Sequence, residues 1–200
     1  MRLKERPNLT RFKIVKSSLE EICAVDYRKQ PVGGIKIIDL KIDEIFNKNT
    51  KEIFKQFVNM DLDEKTYKSS DIKFNDGVSI IVSLSGILSG QVIVNIPREL
   101  AKIIYHRHKK GVLAVEIDGN VRKSILELWK IIIGNSCASF YENGVSIELG
   151  SYCMIEGNDV NYTTIDKNVT IIQYETALTE ANMITILDIY GEQKFSNFNN

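Results

Sequence analysis

The sequence predicts an α+β protein, and three observations carry that prediction. A helix with an apolar face runs over about residues 121–140, two strands with glycines between them occupy about 78–96, and the C-terminal third consists of β-branched and aromatic runs broken by polar turns. The helix is read from Val121, Ile125, Leu128 and Ile132, which recur at helical spacing and continue through Trp129, Ile133, Cys137 and Phe140 until Gly144 supplies a C-terminal stop.

The other elements follow in chain order. Residues 1–34 read as an N-terminal extension of unknown role, in which Ser18-Leu-Glu-Glu21 has the capping-box pattern of a short helix ending before Pro31 and Gly33-Gly34. A strand is expected at 35–42, where Ile35, Ile37 and Ile38 are separated by charge, and a helix over about 44–60 presents Phe46, Ile53, Phe54, Phe57 and Val58. Asp76-Gly77 signals a turn before the strand 78–84, and Gly86 to Gly90 leads to the strand 91–96, giving a hairpin-like unit. Pro97 then opens a helix whose Leu100, Ala101, Ile103 and Ile104 face the sheet, while His106, Arg107, His108, Lys109 and Lys110 complement the dipole at its end. Two histidines two positions apart do not share a helix face, so no metal is expected at His106 and His108. Strands are expected at about 144–149, 160–165, 168–174 and 182–190, followed by a polar tail at 193–200.

Composition narrows the function. Two hundred residues with 44% hydrophobic content suffice for one sizeable core, so one main domain is expected. Lysine plus arginine equal aspartate plus glutamate at 26 each, which removes the broad attraction that non-specific nucleic-acid binding needs. Cys23, Cys137 and Cys153 are odd in number and sit in apolar surroundings, so buried free thiols are expected rather than a disulfide framework or zinc site. The N-terminus lacks the hydrophobic run of an export signal and no span of about eighteen apolar residues occurs, so the cytoplasm is the expected compartment, with no membrane span. Walker loops, dinucleotide fingerprints and zinc-protease patterns are absent from the sequence, and two histidines leave little room for a hydrolytic triad.

The long helix carries the functional candidates. Opposite its apolar face, at steps of three or four, stand Ser124, Glu127, Lys130, Gly134 and Ala138, whose side chains shrink until the backbone is bare. Glycine inside a helix costs about 1 kcal/mol relative to alanine, so Gly134 needs a cause: approach of a partner helix, or tight packing against the chain's own sheet.

With these elements placed, the sequence resembles the CheX-type chemotaxis phosphatases of the CheC-like fold. The resemblance rests on the hairpin over 80–96 with its helix start Pro97-Arg-Glu-Leu-Ala101, on Glu127 to Gly134-Asn135, on Gly144 and Gly157, and on the late strand over 171–176. It spans about residues 35–190 and implies a CheC/CheX-like domain over 35–192, a mostly antiparallel sheet packed against long helices. It also implies a cytoplasmic protein that dephosphorylates the aspartate of a CheY-like receiver, and a homodimer joined at sheet edges, which would protect exposed strands.

The family chemistry uses a glutamate and, three positions on, an asparagine. The amide orients a water in line with the leaving oxygen, the glutamate anchors a receiver lysine, and the receiver supplies Mg²⁺, so no cofactor is expected on this chain. Glu127 matches the first position, but Lys130 stands at the second. An ammonium has three donors and no acceptor, so it cannot hold an attacking water by its proton. Lys130 is left with three roles: contact to a phosphoryl oxygen, an ion pair with Glu127 one turn earlier, or solvation. A further departure is Gly150-Ser151-Tyr152-Cys153, where the family tends to carry proline after the strand that follows the long helix. Asn135 is out of register with the water-orienting position and reads as structural.

Two functions from different classes are therefore expected to compete. One is a CheX-like protein that binds a phosphorylated receiver with weak, altered or lost phosphatase activity, using Glu127 and Lys130 as the catalytic pair. The other is a non-enzymatic dimeric module in chemotaxis or flagellar-motor signalling.

Overall fold

The computed structural model describes residues 41–74, 76–157, 160–164 and 169–191. The expected helix near residue 18, the N-terminal extension, the C-terminal tail and all of the expected strand 35–42 except its last two residues lie outside that set. Ile42 itself begins a helix, α1 (Ile42–Ile53), which widens into a π-helical turn at Phe54–Val58 and ends on the left-handed Asn59. This agrees with the helix expected over 44–60.

Two strands unforeseen in the sequence follow, β1 (Asp63–Ser69) and β2 (Asp71–Lys73). The hairpin is longer than expected. β3 (Gly77–Gly86) and β4 (Leu88–Pro97) pair antiparallel, with Gly77 already in the ladder opposite Pro97 rather than in a preceding turn. Pro97 delivers the chain into α2 (Arg98–His108), whose Leu100, Ala101 and Ile104 are buried while Ile103 is half-buried.

The long helix α3 (Gly119–Glu142) starts on Asp118, whose carboxylate accepts from the backbone N–H groups of Asn120 and Val121 at 2.9 Å each. Those donors hold the Asp118 carboxyl below its usual range. It stops in a Schellman arrangement: Gly144, at φ +78°, donates to Tyr141 O and Val145 to Phe140 O. Then come β5 (Ile147–Gly157), β6 (Asn161–Thr163), β7 (Val169–Thr176) and β8 (Thr179–Gly191).

Six strands form one fully antiparallel sheet in the order β1-β7-β8-β4-β3-β5, and β2 pairs with β6 separately. Strand alternation sends Val78, Ile80, Val82, Val92, Val94, Ile172 and Leu187 to the face covered by the helices, where they meet Phe46, Phe54, Leu128, Trp129 and Phe140. The opposite face buries Ile93, Ile171, Ile184 and Ile186 under Ile72 of the small β2/β6 sheet and Phe74 just after it. The sheet is therefore sandwiched between a helical layer and a short two-stranded cover.

Gly150 to Cys153 do not form a loop after a strand. They lie inside β5, and the register slips between Val82 and Leu84 because Gly150 and Ser151 together face the single residue Ser83. That is a β-bulge, and Gly150 suits it because a Cβ there would lie 3.2 Å from Ser83 Cβ. The expectation of buried thiols holds for Cys137, which burial pushes up to about 12, but Cys153 is exposed on the edge strand.

Candidate functional site

α3 is held from three sides. Towards α1 and the turn that ends it, the rings of Phe46 and Phe140 meet at a tilt of 58° with centroids 5.6 Å apart, Trp129 meets Phe54 edge-on at 6.5 Å, and Asn49 Nδ2 donates to Ser139 Oγ at 3.4 Å. Towards the sheet it buries Ile125, Leu128, Ile132 and Ile133. Towards α2, the Ser124 hydroxyl lies 2.5 Å from His108 Nδ1.

What remains is a solvent-facing ridge. Lys130 and Ala138 are exposed, Gly134 is half-buried, and the Glu127 side chain keeps 25% of its accessible surface. A Cβ built at Gly134 meets nothing within 4 Å, so tight packing against the chain's own sheet is not the cause of this glycine. Ser124 does not belong with the others. It is 1% exposed because the end of α2 lies over it, which helical spacing alone does not reveal.

The ionic partners also differ from the simplest expectation. The cation beside Glu127 is Lys109, with Nζ 3.8 Å from Oε2, whereas Lys130 Nζ sits 5.5 Å from the centroid of the Tyr152 ring on β5. Exposed ion pairs contribute at most about 1 kcal/mol. The half-exposed Lys109–Glu127 contact is long even for such a pair, so an incoming lysine can replace Lys109 at the carboxylate with little loss.

His108 completes this end of the site. Burial lowers its pKa below the ordinary 6.5, the Lys109 charge adds to that, and the Glu127 carboxylate opposes both. The ring is therefore neutral at physiological pH, matching its contact with an uncharged hydroxyl.

Chemically, the ridge presents one displaceable carboxylate, one ammonium held over an aromatic ring, and a strip of bare backbone one turn further on. It can grip a cation and contact an anion. It has no amide at position 130 to align a water. Among the described residues no cluster of three or more His, Cys, Asp or Glu is arranged to hold a metal, and no helix is long and apolar enough to cross a membrane. Asp118 was not singled out in the sequence, and Lys109 and Tyr152 were read there only as a helix-end charge and as part of the departure at 150–153, not as site residues. The first was detectable as an N-cap before Val121, whereas the other two depend on contacts between elements far apart in sequence.

No protein-family model matches the sequence, and no curated protein matches it. Solved structures do. A chemotaxis protein CheX from Desulfovibrio desulfuricans superposes with a TM-score of 0.65 at 16% identity, covering 76% of this chain and 100% of that one. A CheC-like superfamily protein from Shewanella sp. PV-4 gives 0.66 at 17%, covering 76% and 99%. The CheX–CheY–BeF₃–Mg²⁺ complex from Borrelia burgdorferi gives 0.61 at 18%, covering 73% of this chain and 95% of that chain. The fold is CheC/CheX-like, an α+β domain built on a large antiparallel sheet.

Proposed function

We propose that this chain binds a phosphorylated CheY-type receiver on the α3 ridge, and that its aspartyl-phosphate phosphatase activity is weak or lost. The carrying observation is the ridge itself: Glu127 accessible beside a weak, replaceable partner, with open space over Gly134 where a second molecule's backbone can approach. The similarity to a CheX solved together with CheY supports the choice of partner. In this proposal Glu127 takes a lysine of the receiver, Mg²⁺ comes with the receiver, and Lys130 leaves Tyr152 to meet a phosphoryl oxygen as a point charge. The lysine stabilises bound phosphate without orienting water, which favours recognition over hydrolysis.

A homodimer joined through β5 belongs to the same proposal. Among the described strands β1 and β5 are the two edges, and β1 is guarded by Asp63, Glu64, Lys65 and Lys68. β5 is uncharged from Leu149 to Ile155, and both of those residues are exposed. That edge suits pairing with a second copy.

Phosphate release from a CheY-type receiver of the same organism, loaded with acetyl phosphate and Mg²⁺, tests the activity. The wild-type chain is expected to leave the receiver's own decay rate nearly unchanged, while Lys130→Asn accelerates it by about tenfold or more as a water-orienting amide returns. Fast hydrolysis by the wild type, slowed by Lys130→Asn, would overturn the assignment of Lys130. Calorimetry with the same receivers tests binding separately, and no association with any of them would end the receiver proposal.

A further inference from the structure

Resting on the receiver-docking function above, we propose that the loop joining α2 to α3, residues 109–118, is an apolar lip of the same docking surface and is covered by the receiver when it reaches Glu127. Of the eight large hydrophobic side chains exposed among the described residues, three fall within four positions here: Val112 at 50%, Leu113 at 81% and Val115 at 86% exposure. Scattered surface hydrophobics need no explanation, but a cluster of this kind marks an interaction site.

The loop is fixed in place. Ile117 is buried in the core and Ala114, three residues earlier, packs against that core, so the loop is pinned at two points between its outward side chains. At one end the Gly111 N–H donates to His106 O at 2.8 Å, and at the other Arg122 Nη1 donates to Ile117 O at 3.1 Å. Val112, Leu113 and Val115 are thus presented on an anchored backbone, which lowers the entropy lost on binding.

Position chooses the occupant. The loop departs from Lys109, the residue that holds Glu127, and returns to Asp118, the cap of the helix that carries Glu127 and Lys130. A body that displaces Lys109 from Glu127 lies over the start of the loop. An apolar anchor flanked by charged groups at its rim is the usual anatomy of a protein interface. An anionic lipid surface fits less well, because exposed Glu116 and Asp118 border the apolar residues on one side and offset Lys109 and Lys110 on the other.

The test is a fluorescence-anisotropy titration of CheY-type receivers of the same organism, activated with beryllofluoride and Mg²⁺, against the full chain. Leu113→Ser/Val115→Ser is expected to weaken binding by about tenfold or more, as loss of interface anchors does, with no change in melting temperature. If the wild type binds, Glu127→Ala weakens binding and the double variant matches the wild type, the lip is wrong while the ridge stands. If the wild type binds no receiver, both fail. Should the double variant melt lower, Leu113→Lys alone decides between the same outcomes. Sedimentation with phosphatidylglycerol vesicles and light scattering on the double variant complete the test. Loop-dependent vesicle binding, or a changed oligomeric mass, would give the loop a different occupant and overturn the proposal.

Discussion

On its packed side α3 buries Leu128, Trp129, Ile132 and Ile133 to 1% exposure or less, whereas Lys130 and Ala138 stand in solvent and Gly134 looks onto open space. The two sides are made from adjacent residues, so one turn of helix separates groups that hold the fold from groups free to meet another molecule. Stability and binding are therefore expected to respond to different substitutions on the same element, and each of the following changes probes that separation.

The largest effect is expected on the packed side. Trp129→Ala removes a fully buried ring that meets Phe54 edge-on, and truncations of this size typically cost about 3–5 kcal/mol. Chemical denaturation should show that loss, and a loss below about 1 kcal/mol would mean that the packed side is not the structural one.

Gly134→Ala is expected to act in opposite directions on the two properties. Its Cβ meets nothing, so folding should gain up to about 1 kcal/mol from helix propensity. The added methyl narrows the approach over the ridge, so receiver affinity should fall. A variant that is stabilised and still binds fully would remove Gly134 from the docking surface.

The smallest effect is expected at the end of α2, where the two sides meet. The folded-state pKa of His108 is lowered by burial, so the folded chain takes up a proton there less readily than the unfolded chain. The stability from keeping the ring neutral is fully present above pH 6.5 and is lost as pH falls from there through the lower folded-state value. The groups facing the ring act in both directions: Lys109 disfavours its protonation, Glu127 favours it, and Ser124 Oγ contacts its Nδ1. Urea midpoints measured at falling pH should decline more steeply in the wild type than in His108→Asn, and parallel profiles would assign the decline to other groups.

Much of this arrangement was legible in the sequence because it rests on strong periodicity. Val121 to Phe140, the β3/β4 hairpin and the apolar face of α1 each repeat the pattern of a buried surface. What was missed lacks that pattern. β1 reads Asp-Glu-Lys-Thr-Tyr-Lys-Ser because an edge strand with its first six residues exposed has no apolar side to display, and β2 has only three residues. The strand expected to end at 149 runs on to Gly157, because the small residues Gly150-Ser151 that follow it make a bulge rather than a strand end. At the site, spacing placed Glu127, Lys130, Gly134 and Ala138 together, but it also placed Ser124 with them. Only the path of α2, which sets His108 against that hydroxyl, separates Ser124 from the open ridge.

The most direct measurement of the central claim is the affinity of a beryllofluoride-activated CheY-type receiver for the wild-type chain and for Glu127→Ala, read alongside their melting temperatures. Glu127→Ala is expected to bind about tenfold or more weakly, the scale of losing an interfacial charge partner, while melting like the wild type. Equal affinity for the two proteins, with both folded, would contradict the assignment of Glu127 as the residue that grips the partner.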